Sequence, residues 1–96
     1  MDSDKSTHYC RVCGLFQDKD FQGNDYFPWG KDGNSPSFDI CECCGVEFGY
    51  GDCFLEDVKA FREEWLKKGN PWRCPEYQPE NWSLEEQLKN IPKKFR

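Results

Sequence analysis

Apolar and polar positions change their rhythm near the middle of the chain. From Leu55 to Lys68 the apolar residues Leu55, Val58, Phe61, Trp65 and Leu66 recur at three- and four-residue steps. That spacing puts them in one stripe on a helix. Asp52 is expected to cap its start and Gly69 to end it. A second, shorter helix is expected from Ser83, where Ser83-Leu84-Glu85-Glu86 has the form of a capping box, and it must stop before Pro92. Its apolar residues Leu84, Leu88 and Ile91 would face the core. Residues 70–82 contain Pro71, Pro75 and Pro79 and read as extended chain pinned by Trp72 and Trp82.

No such rhythm appears earlier. Residues 1–7 read as a disordered start, and the stretch from Phe21 to Ser37 is dense in Gly, Pro, Asn and Asp, which supply turns rather than regular structure. So long a loop needs something to close it at its base. The expected layout is one domain over 8–96, made of a loop-and-strand half (8–52) and a helical half (53–96).

The cysteines supply the closure. Cys10-Arg11-Val12-Cys13-Gly14 and Cys41-Glu42-Cys43-Cys44-Gly45 share one layout, two thiols three residues apart followed by glycine, with 27 residues between the two pairs. A turn with Cys at its first and fourth positions turns both sulfurs into one concavity, and glycine after the second permits positive φ. Two such turns complete a tetrahedron, so Cys10, Cys13, Cys41 and Cys44 are the expected ligands of one Zn2+ ion in a closed structural site. The expected fold class is small α+β, a zinc-ribbon or rubredoxin-like knuckle half followed by two helices. Cys43 departs from the repeated spacing and is not counted as a ligand. With four thiols filling the site, His8 is expected at the surface.

Seven cysteines, an odd number, cannot pair completely within the chain, and the start Met1-Asp2-Ser3-Asp4-Lys5 is no export signal. Reduced thiols in a cytoplasmic protein are therefore expected. No run approaches a membrane span. The single histidine leaves Cys53, at the start of the long helix, and Cys74 without a base partner, so both read as small structural residues and no catalytic residue is assigned. Glu56, Asp57, Glu63 and Glu64 read as the solvated flank of the helix.

Charge narrows the choice of partner. Residues 1–52 carry ten Asp/Glu against four Lys/Arg, whereas 53–96 carry eight against nine. An acidic metal half is ill-suited to neutralising phosphates, which counts against direct binding to nucleic acid. Phe16, Phe21, Tyr26, Phe27, Trp29, Phe38, Phe48, Tyr50 and Phe54 are expected mostly in the core, with Tyr26 and Trp29, beside Asp25 and Asp32 on the loop, as candidates for contacting a cationic protein surface.

The run from Tyr9 to Gly51, with Pro28-Trp29-Gly30-Lys31-Asp32-Gly33, Ser35-Pro36-Ser37-Phe38-Asp39-Ile40 and Cys41-Glu42-Cys43-Cys44-Gly45-Val46-Glu47-Phe48-Gly49-Tyr50, resembles the cysteine-rich CPCC family of small bacterial proteins. Trp65-Leu66 and Asn81-Trp82-Ser83-Leu84-Glu85-Glu86-Gln87-Leu88 extend the resemblance into the helical half. Glu42 stands where the namesake motif has proline, which removes a rigidifying residue. The resemblance implies a zinc-ribbon-like module and a role as immunity partner of a bacterial toxin. The expected function is thus a non-enzymatic zinc protein that occupies a partner protein. Two other readings stay open: a rubredoxin-like iron carrier, since iron sits in the same four-thiolate layout there, and a zinc ribbon associated with nucleic acid or the transcription machinery.

Overall fold

A computed structural model describes residues 8–17 and 25–96; the expected disordered start at 1–7 and Phe21 lie outside the described residues. The described part measures 33 × 30 × 25 Å. Its regular elements are helix α1 (Leu55–Lys67), helix α2 (Leu84–Leu88) and two 3-10 turns, Pro75–Tyr77 and Lys93–Phe95. Extended pairing between described residues includes two isolated antiparallel bridges, Tyr9 with Phe16 and Ile40 with Glu47.

α1 follows the sequence pattern closely. Val58 and Trp65 are buried, Phe61 is half-buried, and Leu55 and Leu66 at the edges of the stripe are exposed. Glu56 and Asp57 occupy the first turn, where the helix dipole favours acids. Gly69, at φ 89°, donates its N–H to the Leu66 carbonyl and ends the helix. The N-terminus differs from expectation. Phe54 holds the N-cap position with extended backbone and no side chain caps the helix. Asp52 is fully buried instead, and its carboxylate accepts hydrogen bonds from Trp29 Nε1 (2.8 Å) and the Gly49 N–H (2.7 Å). Those two half-buried donors are thereby satisfied by a fully buried carboxylate, which outweighs an exposed cap.

α2 begins as expected, with the Ser83 hydroxyl accepting from the Glu86 N–H at 3.3 Å. Only half of the capping box forms, because the Glu86 carboxylate pairs with Lys89 at 3.0 Å. The segment before α2 is not wholly extended: it turns at Pro75–Tyr77. It is pinned as expected, by an edge-on contact between Trp72 and Trp82 with ring centroids 5.5 Å apart. The Arg73 and Cys74 N–H groups also donate to the carbonyls of Cys43 and Glu42.

The core is built around the cysteines. Cys10, Cys13, Cys41, Cys43 and Cys44 join Val12, Val46, Phe48, Val58, Trp65 and Trp72 in one buried cluster, with Leu84 and Leu88 packed against it. Four exposed aromatics correct the expectation that most rings are internal: Phe16, Phe38, Tyr50 and Phe54.

Candidate metal centre

Both cysteine turns have the same local construction. The Cys10 N–H donates to the Leu15 carbonyl and Gly14 N–H to the Cys10 carbonyl; Cys41 and Val46, then Gly45 and Cys41, repeat this, with all four bonds between 2.9 and 3.0 Å. Gly14 and Gly45 have φ of 82° and 84°, a region that a Cβ disfavours. The spacing of the two pentapeptides therefore dictates two superimposable loops.

Folding brings the loops together. The Cys10 and Cys44 sulfurs lie 3.7 Å apart, as do those of Cys13 and Cys41, and all four sulfurs lie within 4.8 Å of one another. A tetrahedron of thiolates about 2.3 Å from a central ion has edges of about 3.8 Å. The quartet fits that geometry. Cys10, Cys13 and Cys41 are 0% exposed and Cys44 is 8% exposed.

The donor set has the electrostatics of a cation site. Burial pushes the Cys10, Cys13 and Cys44 thiols up, while Cys41, although burial opposes it, is drawn well down by hydrogen bonds from the neighbouring thiols and the Cys44 backbone N–H. Four buried sulfurs cannot all ionise with only the part-buried Arg11 and Arg62 guanidinium groups nearby; a divalent cation removes that restriction and displaces the protons.

Residues far along the chain hold the loops in place. Arg62 on α1 donates to the carbonyls of Val12 (2.7 Å), Arg11 (2.9 Å) and Phe95 (2.6 Å), tying the first cysteine loop to the C-terminal turn. Gln87 on α2 is buried; its Nε2 donates to the Cys13 carbonyl (3.1 Å) and to Cys43 Sγ (3.3 Å), and its Oε1 accepts from Trp82 Nε1 (2.7 Å). Gln17, also buried, directs its Nε2 to Cys41 Sγ at 3.8 Å. Arg11 bonds the carbonyls of Asp52 and Gly33 and lies between the rings of Trp29 (3.8 Å) and Phe95 (4.2 Å). Sequence reading missed Arg62, Gln87 and Gln17, because their partners lie at separations that no local pattern encodes. Two polar residues inside otherwise apolar helical stripes, Arg62 and Gln87, are the one available signal.

Cys43 lies beside the quartet as a buried fifth sulfur outside the four. Cys53 donates to the Gly49 carbonyl at 3.1 Å and Cys74 is half-buried. His8 is half-buried rather than freely exposed: its Nδ1 lies 3.0 Å from the Tyr26 carbonyl and its ring 4.2 Å from that of Phe27. Glu56, Asp57, Glu63 and Glu64 are exposed as expected.

The four loop residues expected to meet a partner are placed unequally. Tyr26 and Trp29 are half-buried and internally bonded, Tyr26 Oη to Ser37 Oγ (2.7 Å) and Asp39 Oδ2 (2.9 Å), and Trp29 to Asp52. Burial, together with the neighbouring Asp39, pushes the Tyr26 phenol up. Asp25 and Asp32 are exposed, with Asp32 Oδ1 accepting the Asn34 N–H at 2.9 Å in a local turn. Both rings thus close the loop onto the domain.

Fold and site together define a small two-helix protein organised around a buried cysteine quartet that can hold one metal ion. The chain belongs to the family of the uncharacterized protein YoaQ of Bacillus subtilis (strain 168), to which it is 32% identical over 95 residues, covering 84% of this chain and 70% of that protein. It is also similar to the uncharacterized protein YozI of the same organism, 29% identical over 86 residues, covering 74% of this chain and 66% of YozI. No family model matches the sequence. No solved structure matches it either.

Proposed function

We propose that the protein is a non-enzymatic, cytoplasmic zinc-stapled module of the zinc-ribbon-like CPCC type, whose task is to occupy a partner protein as the immunity factor of a bacterial toxin. The observation that carries this reading is the closure of the quartet. Cys10, Cys13 and Cys41 are fully buried beneath α1, α2 and the segment between them, Cys44 is 8% exposed at the edge of a surface cavity, and four thiolates leave a tetrahedral ion no open coordination position. Cys10, Cys13, Cys41 and Cys44 would hold the ion, and the ion would supply cross-linking energy rather than Lewis-acid chemistry. Structural zinc contributes about 10–16 kcal/mol of apparent binding energy, comparable with the stability of a whole domain. Function then rests with the surface, and the acidic metal half favours a basic partner by long-range steering.

Two measurements test the reading. Elemental analysis with a visible absorption spectrum should give one zinc and a colourless protein; a coloured, iron-loaded protein would replace this reading with the rubredoxin-like carrier. Coexpression with the product of the adjacent gene should yield a stable complex that blocks that product's toxicity. Failure to bind it, or salt-dependent binding to DNA or RNA instead, would refute the immunity reading.

A further inference from the structure

Among the described residues five aromatic side chains are exposed, Phe16, Phe38, Tyr50, Phe54 and Tyr77, and three of them converge on one glycine. Phe38 is 60% exposed, Tyr50 80% and Phe54 65%, and all three gather at Gly49. The Phe38 ring lies over Gly49, so close that a Cβ there would meet its Cε1 at 2.9 Å. Tyr50 follows Gly49 directly, and the Cys53 thiol bonds the Gly49 carbonyl, bringing the start of α1 at Phe54 to the same place. Ile40, 41% exposed, sits across the bridge from exposed Glu47 on the same hairpin.

Two costs are paid to present these rings. Exposed apolar surface of this kind forgoes the free energy of burial. In addition, Phe38 has φ 63°, a left-handed conformation that an L-residue with a ring adopts at an expense of about 1–2 kcal/mol. Glycine would hold the same backbone without strain, and the Phe38 N–H to Phe48 carbonyl bond needs no side chain.

Carboxylates outnumber cations beside the rings in sequence, although Lys68 and Arg73 share the cavity next to Tyr50 with Asp57 and Glu64. Asp39, Glu47, Glu56 and Asp57 are all exposed, on the hairpin and on the first turn of α1. Tyrosine and phenylalanine faces flanked by carboxylates attract guanidinium and ammonium groups through the ring quadrupole and by direct pairing.

We propose that this face, centred on Phe38, Tyr50 and Phe54 and fringed by Asp39, Glu47 and Glu56, is the docking surface for a cationic, Arg/Lys-bearing segment of a partner protein. The proposal rests on the partner-binding reading above and moves its site from the 25–32 loop, whose rings are internally engaged, to the hairpin and helix start.

The test uses the zinc-loaded full chain, labelled with 15N, titrated with a synthetic peptide of alternating Arg and Leu and, in parallel, its Glu/Leu counterpart. Amide shifts should concentrate at residues 38–40, 47–50 and 53–57 with the cationic peptide only. Y50S and F54S should each raise the Kd about tenfold, the scale of a central aromatic contact. F38G should weaken binding several-fold while the melting temperature holds or rises, a combination that misfolding cannot produce. Shifts mapping to residues 25–32, or equal response to both peptides, would overturn the proposal. So would concentration-dependent dimerisation abolished by Y50S, because a second copy would then be the occupant. If the neighbouring gene product binds with its affinity unchanged in Y50S and F54S, the surface is wrong and the binding reading stands. If the peptide maps to this face while no neighbour binds, the surface stands and the immunity reading falls.

Discussion

Gly14 and Gly45 occupy equivalent positions in the two cysteine loops, yet alanine at each should have different consequences. Both backbones sit at nearly the same positive φ, 82° and 84°, so either substitution incurs the left-handed penalty of about 1–2 kcal/mol. The surroundings differ. A Cβ on Gly45 would meet nothing nearer than Arg73 Cδ at 3.8 Å, an ordinary contact. On Gly14 it would lie 2.2 Å from the Gln87 carbonyl oxygen and 3.2 Å from Ile91 Cγ1, so α2 must withdraw. Withdrawal loosens the Gln87 bond to the Cys13 carbonyl, about 1 kcal/mol, and part of the burial of Ile91, about 1–2 kcal/mol. G14A should therefore cost about 3–5 kcal/mol and G45A about 1–2 kcal/mol. At about 4–8 °C per kcal/mol for a domain of this size, G14A should melt at least 8 °C below G45A, on the order of two kcal/mol apart. Thermal unfolding of both zinc-loaded variants, followed by circular dichroism, checks this. Equal melting temperatures would refute the claim that α2 is seated directly on the first cysteine loop.

Further outcomes follow from the same contacts. R62M removes four carbonyl partners at once, Val12, Arg11, Phe95 and, at 3.4 Å, Arg96, and should destabilise the protein by about 3 kcal/mol in urea unfolding, since hydrogen bonds to charged groups are worth about 1.5–3 kcal/mol each and some are replaced by water. D52A should cost about 2–4 kcal/mol by leaving Trp29 Nε1 and the Gly49 N–H unpaired, with a change in tryptophan fluorescence; a loss below 1 kcal/mol would refute the claim that this carboxylate is needed to satisfy those donors. S83A should cost about 1 kcal/mol through loss of the α2 cap, and only that much because Glu86 is engaged with Lys89. Metal affinity should rise with pH: burial holds the metal-free Cys10, Cys13 and Cys44 thiols protonated at neutral pH, so loading releases protons and acidification reverses it. Competition with a chromophoric chelator across pH 6 to about 8 measures the slope, and a pH-independent affinity would contradict the burial of the quartet.

What local spacing determines, the chain determined by itself. Two pentapeptides of the form Cys-x-x-Cys-Gly specify two identical loops, because each is closed by hydrogen bonds between residues four and five apart and by one glycine at positive φ. The stripe from Val58 to Trp65 and the Ser83 hydroxyl specify α1 and the start of α2 in the same local way. The meeting of four sulfurs was legible too, since two such loops in one short chain have a single economical use. Tertiary structure decided everything that depends on which distant group arrives first at a buried donor or an open face. Asp52 was free to cap a helix until Trp29 and Gly49 presented N–H groups to it inside the fold. Tyr26 and Trp29 had the composition of a binding site, but Asp39, Arg11 and Asp52 engage them, whereas Phe38, Tyr50 and Phe54 meet no such partners and remain at the surface. Burial is a property of the assembled core rather than of the residue type. The same aromatic side chain closes a loop at one position and faces solvent at another.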